Sequence, residues 1–248
     1  MKAVLALGLI ATTVALLACG DSDAAPVATC YAGEGQTVGT RPAAGNLFLN
    51  PGFEDGAEPW FSLDTEAWGK PCAVSQKHAH DGTNAALLQL RPEEGGGTRV
   101  FGVVQEIGPG EFPEVLSGYY YVDRWEKGTP LQYLQFVVIV DGADNIPEEV
   151  LALGAENHQM RYLLAGVDEQ PTGIQNARYV FVGKEEPVVG EWAYFERNVR
   201  QDFQDLWGGV PRGFTKLRIL FEVRWDDRRE FDGPSAADVY YDDLYLGP

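Results

Sequence analysis

The chain has 248 residues, 45% of them hydrophobic and 12% aromatic, and its 37 acidic against 19 basic side chains give a net charge of −18. That balance disfavours nucleic acid and anionic lipid as direct partners, because their phosphates would be repelled, and it argues against a highly anionic polysaccharide unless calcium mediates. The length suits one large β-domain or two small ones, and with no second linker visible a single domain is expected.

Residues 1–18 read as a targeting segment. Lys2 supplies the positive end, and residues 3–17 form an apolar stretch short for a membrane span and followed at once by polar residues. It ends in Leu16-Leu17-Ala18-Cys19, which resembles a bacterial lipobox. The resemblance implies cleavage before Cys19, acylation of that cysteine, and a bacterial envelope location. Gly20 stands where an inner-membrane retention signal would place Asp, which implies the outer membrane or cell surface. With Cys19 acylated, Cys30 and Cys72 remain as a candidate disulfide in an oxidising compartment. Residues 19–45 are rich in Ala, Gly, Thr and Pro and are expected to be a flexible tether.

Residues 46–60, NLFLNPGFEDGAEPW, begin with a short apolar strand carrying Leu47 and Leu49. Asn50-Pro51-Gly52 then makes a turn, and Phe53 and Glu54 follow as an apolar anchor and a carboxylate. Strands are expected at 72–76 and 86–90, on either side of the His78-Ala79-His80-Asp81-Gly82 loop, and at 99–107, where Phe101, Val103 and Ile107 share a face with Gln105. In 115–125 a regular strand would put Tyr119, Tyr121, Asp123 and Trp125 on one face. The segment 131–140 is apolar on both faces and reads as central. Residues 142–175 are expected to be an insertion with a short helix after Pro147. Strands resume at 179–182 and 191–199, with a turn of helix capped by Asp202 and ended by Gly208-Gly209. In 216–225, Leu217, Ile219, Phe221, Val223 and Trp225 alternate with Arg218, Leu220, Glu222 and Arg224. The last strand, VYYDDLYL, carries Asp242 and Asp243. About nine or ten strands with little helix predict an all-β fold, an antiparallel two-sheet sandwich with a short helical insertion.

The opening run (Asn46, Leu47, Asn50, Pro51, Gly52, Phe53, Glu54, Gly56) and the closing aromatic-Asp242-Asp243-Leu244 run together resemble carbohydrate-binding modules of the family 4, 9 and 22 type. The resemblance spans residues 46–246 and implies a galactose-binding-like jelly-roll β-sandwich over 46–248. It also implies a structural calcium ion pinning the first strand to the last through Glu54 and Asp242, with Asp243 as the adjacent alternative.

A sugar site needs aromatic platforms beside polar groups. The faces away from the core offer Tyr119, Tyr121 and Trp125, then Tyr133 and Gln135, then Arg218, Glu222 and Arg224. Were those strands neighbours, the eight would line one concave sheet. Trp60, Trp192 and Trp225 read as core, by the burial ranking of large apolar side chains. His78 and His80 have no third metal ligand at useful spacing, and no nucleophile-elbow, zinc-protease or phosphate-loop motif is present. The expected function is therefore non-catalytic binding of a polysaccharide or oligosaccharide by a surface-anchored lipoprotein. A structural or protein-binding lipoprotein is the rival from another class, and a covered candidate face under 142–175 would favour it. A polysaccharide-cleaving enzyme is the third reading; paired carboxylates in a cleft would favour that.

Overall fold

The computed structural model describes residues 28–29, 44–62, 69–70, 72–171 and 173–248. The expected signal peptide (1–18), the lipidation site Cys19 and Cys30 of the expected disulfide lie outside the described residues.

Thirteen strands are described: β1 (Ala28–Thr29), β2 (Phe61–Ser62), β3 (Gly69–Lys70), β4 (Ala73–Ser75), β5 (Ala85–Leu90), β6 (Gly97–Ile107), β7 (Val115–Glu126), β8 (Gln132–Asp141), β9 (Asn157–Ala165), β10 (Ala177–Phe181), β11 (Trp192–Asn198), β12 (Lys216–Arg228) and β13 (Ala236–Gly247). Two α-helices, α1 (Glu148–Leu151) and α2 (Val199–Trp207), sit among them. The strands form two sheets. The first runs β1-β4-β5-β13-β7-β11 and the second β10-β9-β8-β12-β6-β2, with β3 also on β6. Pairing is antiparallel except for β9 with β10 and β3 with β6. From β5 onward the chain crosses repeatedly between sheets, so β13 lies between β5 and β7, strands distant from it in sequence. That is the jelly-roll sandwich expected from the sequence.

The core is the space between the sheets. The alternation read in 216–225 holds: Leu217, Ile219, Phe221, Val223 and Trp225 are fully buried inward. Phe136 stacks on Tyr162 at 4.3 Å and on Phe195 at 5.3 Å. Trp60 packs against Phe48 at 5.0 Å and Phe53 at 5.2 Å, and its indole N–H donates to the Asn50 carbonyl at 2.7 Å. Rings of this kind dominate core energetics because each removes a large apolar area from water.

Several expectations need correction. Residues 47–49 form no strand. Phe48, not Leu47 or Leu49, is the fully buried side chain, and the Gln105 amide serves as pairing partner: it accepts from Leu49 N at 2.8 Å and donates to Leu49 O at 2.9 Å. Positive φ in the turn falls on Asn50 (48°) and Phe53 (60°), and Gly52 is not among the positive-φ glycines. Left-handed backbone disfavours a bulky residue, and full burial of Phe53 beside Trp60 offsets that cost. The expected tether contains β1, antiparallel to β4. The segment 142–175 holds the expected short helix, α1, and also β9, an interior strand of the second sheet. The α2 helix begins earlier than read from sequence, at Val199, with the Asn198 side chain accepting from Gln201 N at 2.8 Å. Asp202 instead pairs with Arg197, and Gly208 ends the helix in left-handed conformation.

His158 opens β9 as a buried residue, 1% exposed, between the edges of Phe203 and Trp207. Burial lowers its pKa from 6.5 to about 4, since no polar partner meets its Nδ1. The folded state therefore favours the neutral ring. The His158 contribution to stability is complete above pH 6.5 and is lost as pH falls from there toward about 4, by a few kcal/mol at about 1.4 kcal/mol per unit. His158→Phe should remove that acid loss, so its melting temperature relative to the wild type should rise as pH falls through the window; an unchanged slope in the variant would refute the assignment.

Candidate functional site

The outer face of the first sheet carries a strip of aromatic rings. Cross-strand register creates it. Tyr240 and Asp242 of β13 lie opposite Tyr121 and Tyr119 of β7, and those tyrosines lie opposite Trp192 and Tyr194 of β11. Side chains directly opposite on one face are near enough to pack. The loop 76–83 then folds over the face and inserts two histidines. The rings run Tyr194 to Tyr119 (5.1 Å), Tyr119 to His80 (3.6 Å), His80 to Trp192 (5.5 Å), Trp192 to Tyr121 (5.4 Å), Tyr121 to His78 (4.3 Å) and His78 to Tyr240 (4.9 Å). Tyr240 is the sealed end at 2% exposure and Tyr194 the open end at 54%. The rings between them keep exposed edges.

Polar groups rim the strip. Asp123 takes Lys77 Nζ at 2.5 Å and His78 Nε2 at 3.2 Å. The hydrogen bond from Lys77 holds the Asp123 carboxyl below its usual range, against the desolvation that raises it. The His80 ring pairs with Asp243, and the Tyr194 hydroxyl pairs with Glu196. The strip thus offers flat apolar edges bordered by carboxylates and one ammonium, the chemistry that meets C–H faces and hydroxyls together.

The eight residues expected to line one sheet are divided by the structure. Tyr119 and Tyr121 are in the strip. Trp125 is not: a bulge between the β13 pairings of Val122 and Arg124 reverses the alternation, and Trp125 packs against the core with its Nε1 donating to Glu186 at 2.5 Å. Tyr133, Gln135, Arg218, Glu222 and Arg224 stand on β8 and β12 of the other sheet, facing the opposite side of the sandwich. There all of them but Arg218 join one buried network. Tyr133 donates to Asp226 at 2.6 Å, Gln135 donates to Glu222 at 2.5 Å, and Arg224 bridges Glu222 and Asp226. Burial alone would lower the Arg224 pKa, but Tyr133, Glu222 and Asp226 outweigh it and raise it. Tyr133, 1% exposed, shares one apolar cluster with Leu163 and Val167, both from 142–175. Arg218 stands apart, forked on Asp141 at 2.9 and 3.0 Å.

Sequence reading also missed ring partners. Trp192, expected in the core, is on the outer face beside Tyr121 and Ala73. Tyr194, Tyr240, His78 and His80 were not among the expected ligand residues. The alternation in 191–199 already put Trp192 and Tyr194 together; only the pairing of β11 with β7 shows which way they face.

Glu54 and Asp242 flank Gly52. Glu54 accepts from Thr83 N (2.8 Å), Asn84 N (2.9 Å) and Thr83 Oγ1 (2.9 Å). Asp242, fully buried, accepts from His80 N (2.7 Å) and Asp81 N (3.4 Å) on Oδ2 and from Asp243 N (2.8 Å) on Oδ1. Burial pushes the Asp242 carboxyl up to about 7 in spite of these amides. Among the described residues it forms no ion pair, and no three His, Cys, Asp or Glu side chains converge as a metal cage. Two carboxylates with hydroxyl and carbonyl neighbours suit a hard cation in kind, and an uncompensated buried carboxyl is the group such an ion would stabilise. Gly82, at φ 66°, passes so close to the Glu54 carboxylate that a side chain there would collide with it.

No family model matches the chain, and no curated protein matches it. Among solved structures it is similar to a carbohydrate-binding module, TmCBM61, in complex with β-1,4-galactotriose, at 15% identity and TM-score 0.41 over 81% of this chain and 97% of that one. It is also similar to the enzymatically active domain of tailspike protein 4 of bacteriophage CBA120, at 11% identity and TM-score 0.41 over 82% of this chain and 21% of that one. A third is CBM28, a module specific for non-crystalline cellulose, at 13% identity and TM-score 0.38, covering 82% and 96%.

Proposed function

We propose that this protein is a lipid-anchored, non-catalytic glycan-binding module of the bacterial envelope, and that the ring strip on the first sheet is its binding face. The observation that carries the reading is the unbroken run of seven rings from Tyr194 to Tyr240. It is a rigid platform longer than one sugar unit, so a polysaccharide or oligosaccharide is the fitting ligand. The rim is mainly anionic through Asp123, Asp243 and Glu196, which selects a neutral glycan over an anionic one. On a glycan array the full chain should bind a neutral saccharide. Tyr121→Ala and Trp192→Ala should each weaken it about tenfold, as removal of one stacking ring does, while Tyr133→Phe on the other sheet leaves it intact. Absence of any glycan binding would sink the proposal.

One observation favours the rival protein-binding reading: Tyr133 is buried in one apolar cluster with Leu163 and Val167, both from 142–175, so that segment helps close the second sheet there. A cleaving enzyme finds less support, since Glu222 and Asp226 are bridged by Arg224 and sealed, at 1% and 2% exposure.

Calcium belongs to the proposal as a structural ion held by Glu54 and Asp242. The full chain should then melt higher with calcium than with chelator, and Asp242→Asn should lose the difference. A wild-type melting temperature indifferent to chelator retires the ion.

The anchor is acylated Cys19, and Gly20 after it, in place of a retention Asp, favours the outer membrane or cell surface. Cys30 bridges Cys72 in the same reading: Thr29 of β1 pairs with Ala73 of β4, and Cys30 and Cys72 are the neighbours of these two in sequence. Intact mass of the membrane-extracted protein, before and after reduction, should show acyl chains and two thiols released. An unmodified mass with three free thiols would dismiss both.

A further inference from the structure

A cavity lies at one end of the sandwich and shares no residue with the ring strip. Its volume is about 360 Å³, and it is walled by Leu47, Ile107, Phe112, Phe214 and Pro248 with Arg200 set among them. That size is within the range of about 300–1,000 Å³ typical of small-molecule sites, and a mainly apolar wall with one fixed polar group is their usual make-up.

Arg200 is the unusual member. Its Nη2 donates to the Phe112 carbonyl, but its Nε is buried and meets no acceptor. Among the described residues it forms no ion pair, in a chain with 37 acidic and 19 basic side chains. Several other arginines pair with carboxylates, among them Arg91 with Asp238, Arg197 with Asp202, Arg218 with Asp141 and Arg224 with Asp226; Arg228 resembles Arg200 in bonding to carbonyls, but it does not line this cavity. Nε, having no accessible surface, stays closed to a ligand, but the guanidinium lines the cavity with no carboxylate to neutralise it, and the part that faces the cavity can pair with one. Glu111, exposed at the rim, opposes a second negative charge.

We propose that this cavity binds a small amphipathic monocarboxylate, with its apolar body against Phe112 and Phe214 and its carboxylate on Arg200. The site goes beyond the glycan-binding reading and stands or falls without it.

Octanoate and 1-octanol, titrated calorimetrically into the full chain, share one apolar body and differ in charge. Octanoate should bind at least tenfold more tightly. Arg200→Gln should weaken octanoate about tenfold, the weight of a charge-assisted hydrogen-bond pair, and leave octanol within about twofold. Arg200→Lys should retain part of the preference, and Glu111→Gln should not weaken octanoate. Equal binding of the two probes by the wild type, no octanoate binding at millimolar concentration, or full octanoate affinity in a folded Arg200→Gln would each overturn the site. The wild-type comparison decides even if a variant fails to fold, and glycan binding measured on the same preparation separates this outcome from that of the ring strip.

Discussion

The Asn46 side chain is the interaction on which the rest of the domain depends. Its amide donates to the Leu244 carbonyl at 2.9 Å and accepts from Leu246 N and Phe48 N at 3.0 Å each. One buried residue thus satisfies backbone groups about two hundred positions away and fixes its own strand-like segment at once. Gln105 does the same for Leu49. Two side-chain amides act as ladder rungs, so the opening segment needs no strand of its own. Buried networks of this kind are rigid when complete and costly when broken.

A sequence of placements follows from that closure. With 46–60 held against β13, Phe48, Phe53 and Trp60 fill the core beneath Phe221. Glu54 is then positioned to hold Thr83 and Asn84, and Asp242 to hold His80 and Asp81. The loop between, gripped at both places, lays His78 and His80 onto the tyrosines of β7. The outer faces of the two sheets consequently differ in kind. The first presents ring edges to solvent, and the second turns charge inward on itself through Glu222, Arg224 and Asp226.

Much of the architecture was legible because alternation and turn chemistry are local. The inward set of β12 and the glycine stop of α2 follow from period and punctuation alone. What escaped was set by pairing. Trp125 changed faces because of one bulge opposite β13, which no pattern in 115–125 announces. Trp192 turned outward because β11 pairs with β7, although its size suggests a core residue. Strand β9 was hidden by Asn157, His158, Gln159 and Arg161, polar residues within NHQMRYLLA whose apolar alternates, Met160, Tyr162 and Leu164, nonetheless fill the core. The candidate site was half visible for the same reason: Tyr119 and Tyr121 share a strand, while their partners come from β11, β13 and a loop. Glu54 and Asp242 were found through motif resemblance, since nothing in their spacing links positions so far apart.

The central place of β13 bears on how the domain comes together. Until this segment arrives, β5 and β7 each present an unpaired edge, and Asn46 and the loop 76–83 lack the backbone and carboxylate that organise them. The first sheet therefore cannot assemble progressively from one side. Its contacts span nearly the whole sequence, and chain closure on that scale is slow. A partly made chain is left with two open strand edges, the surfaces most prone to pair with another copy. Insertion of the late strand into the middle of the sheet makes completion cooperative and leaves the unfinished form in need of protection while the chain emerges.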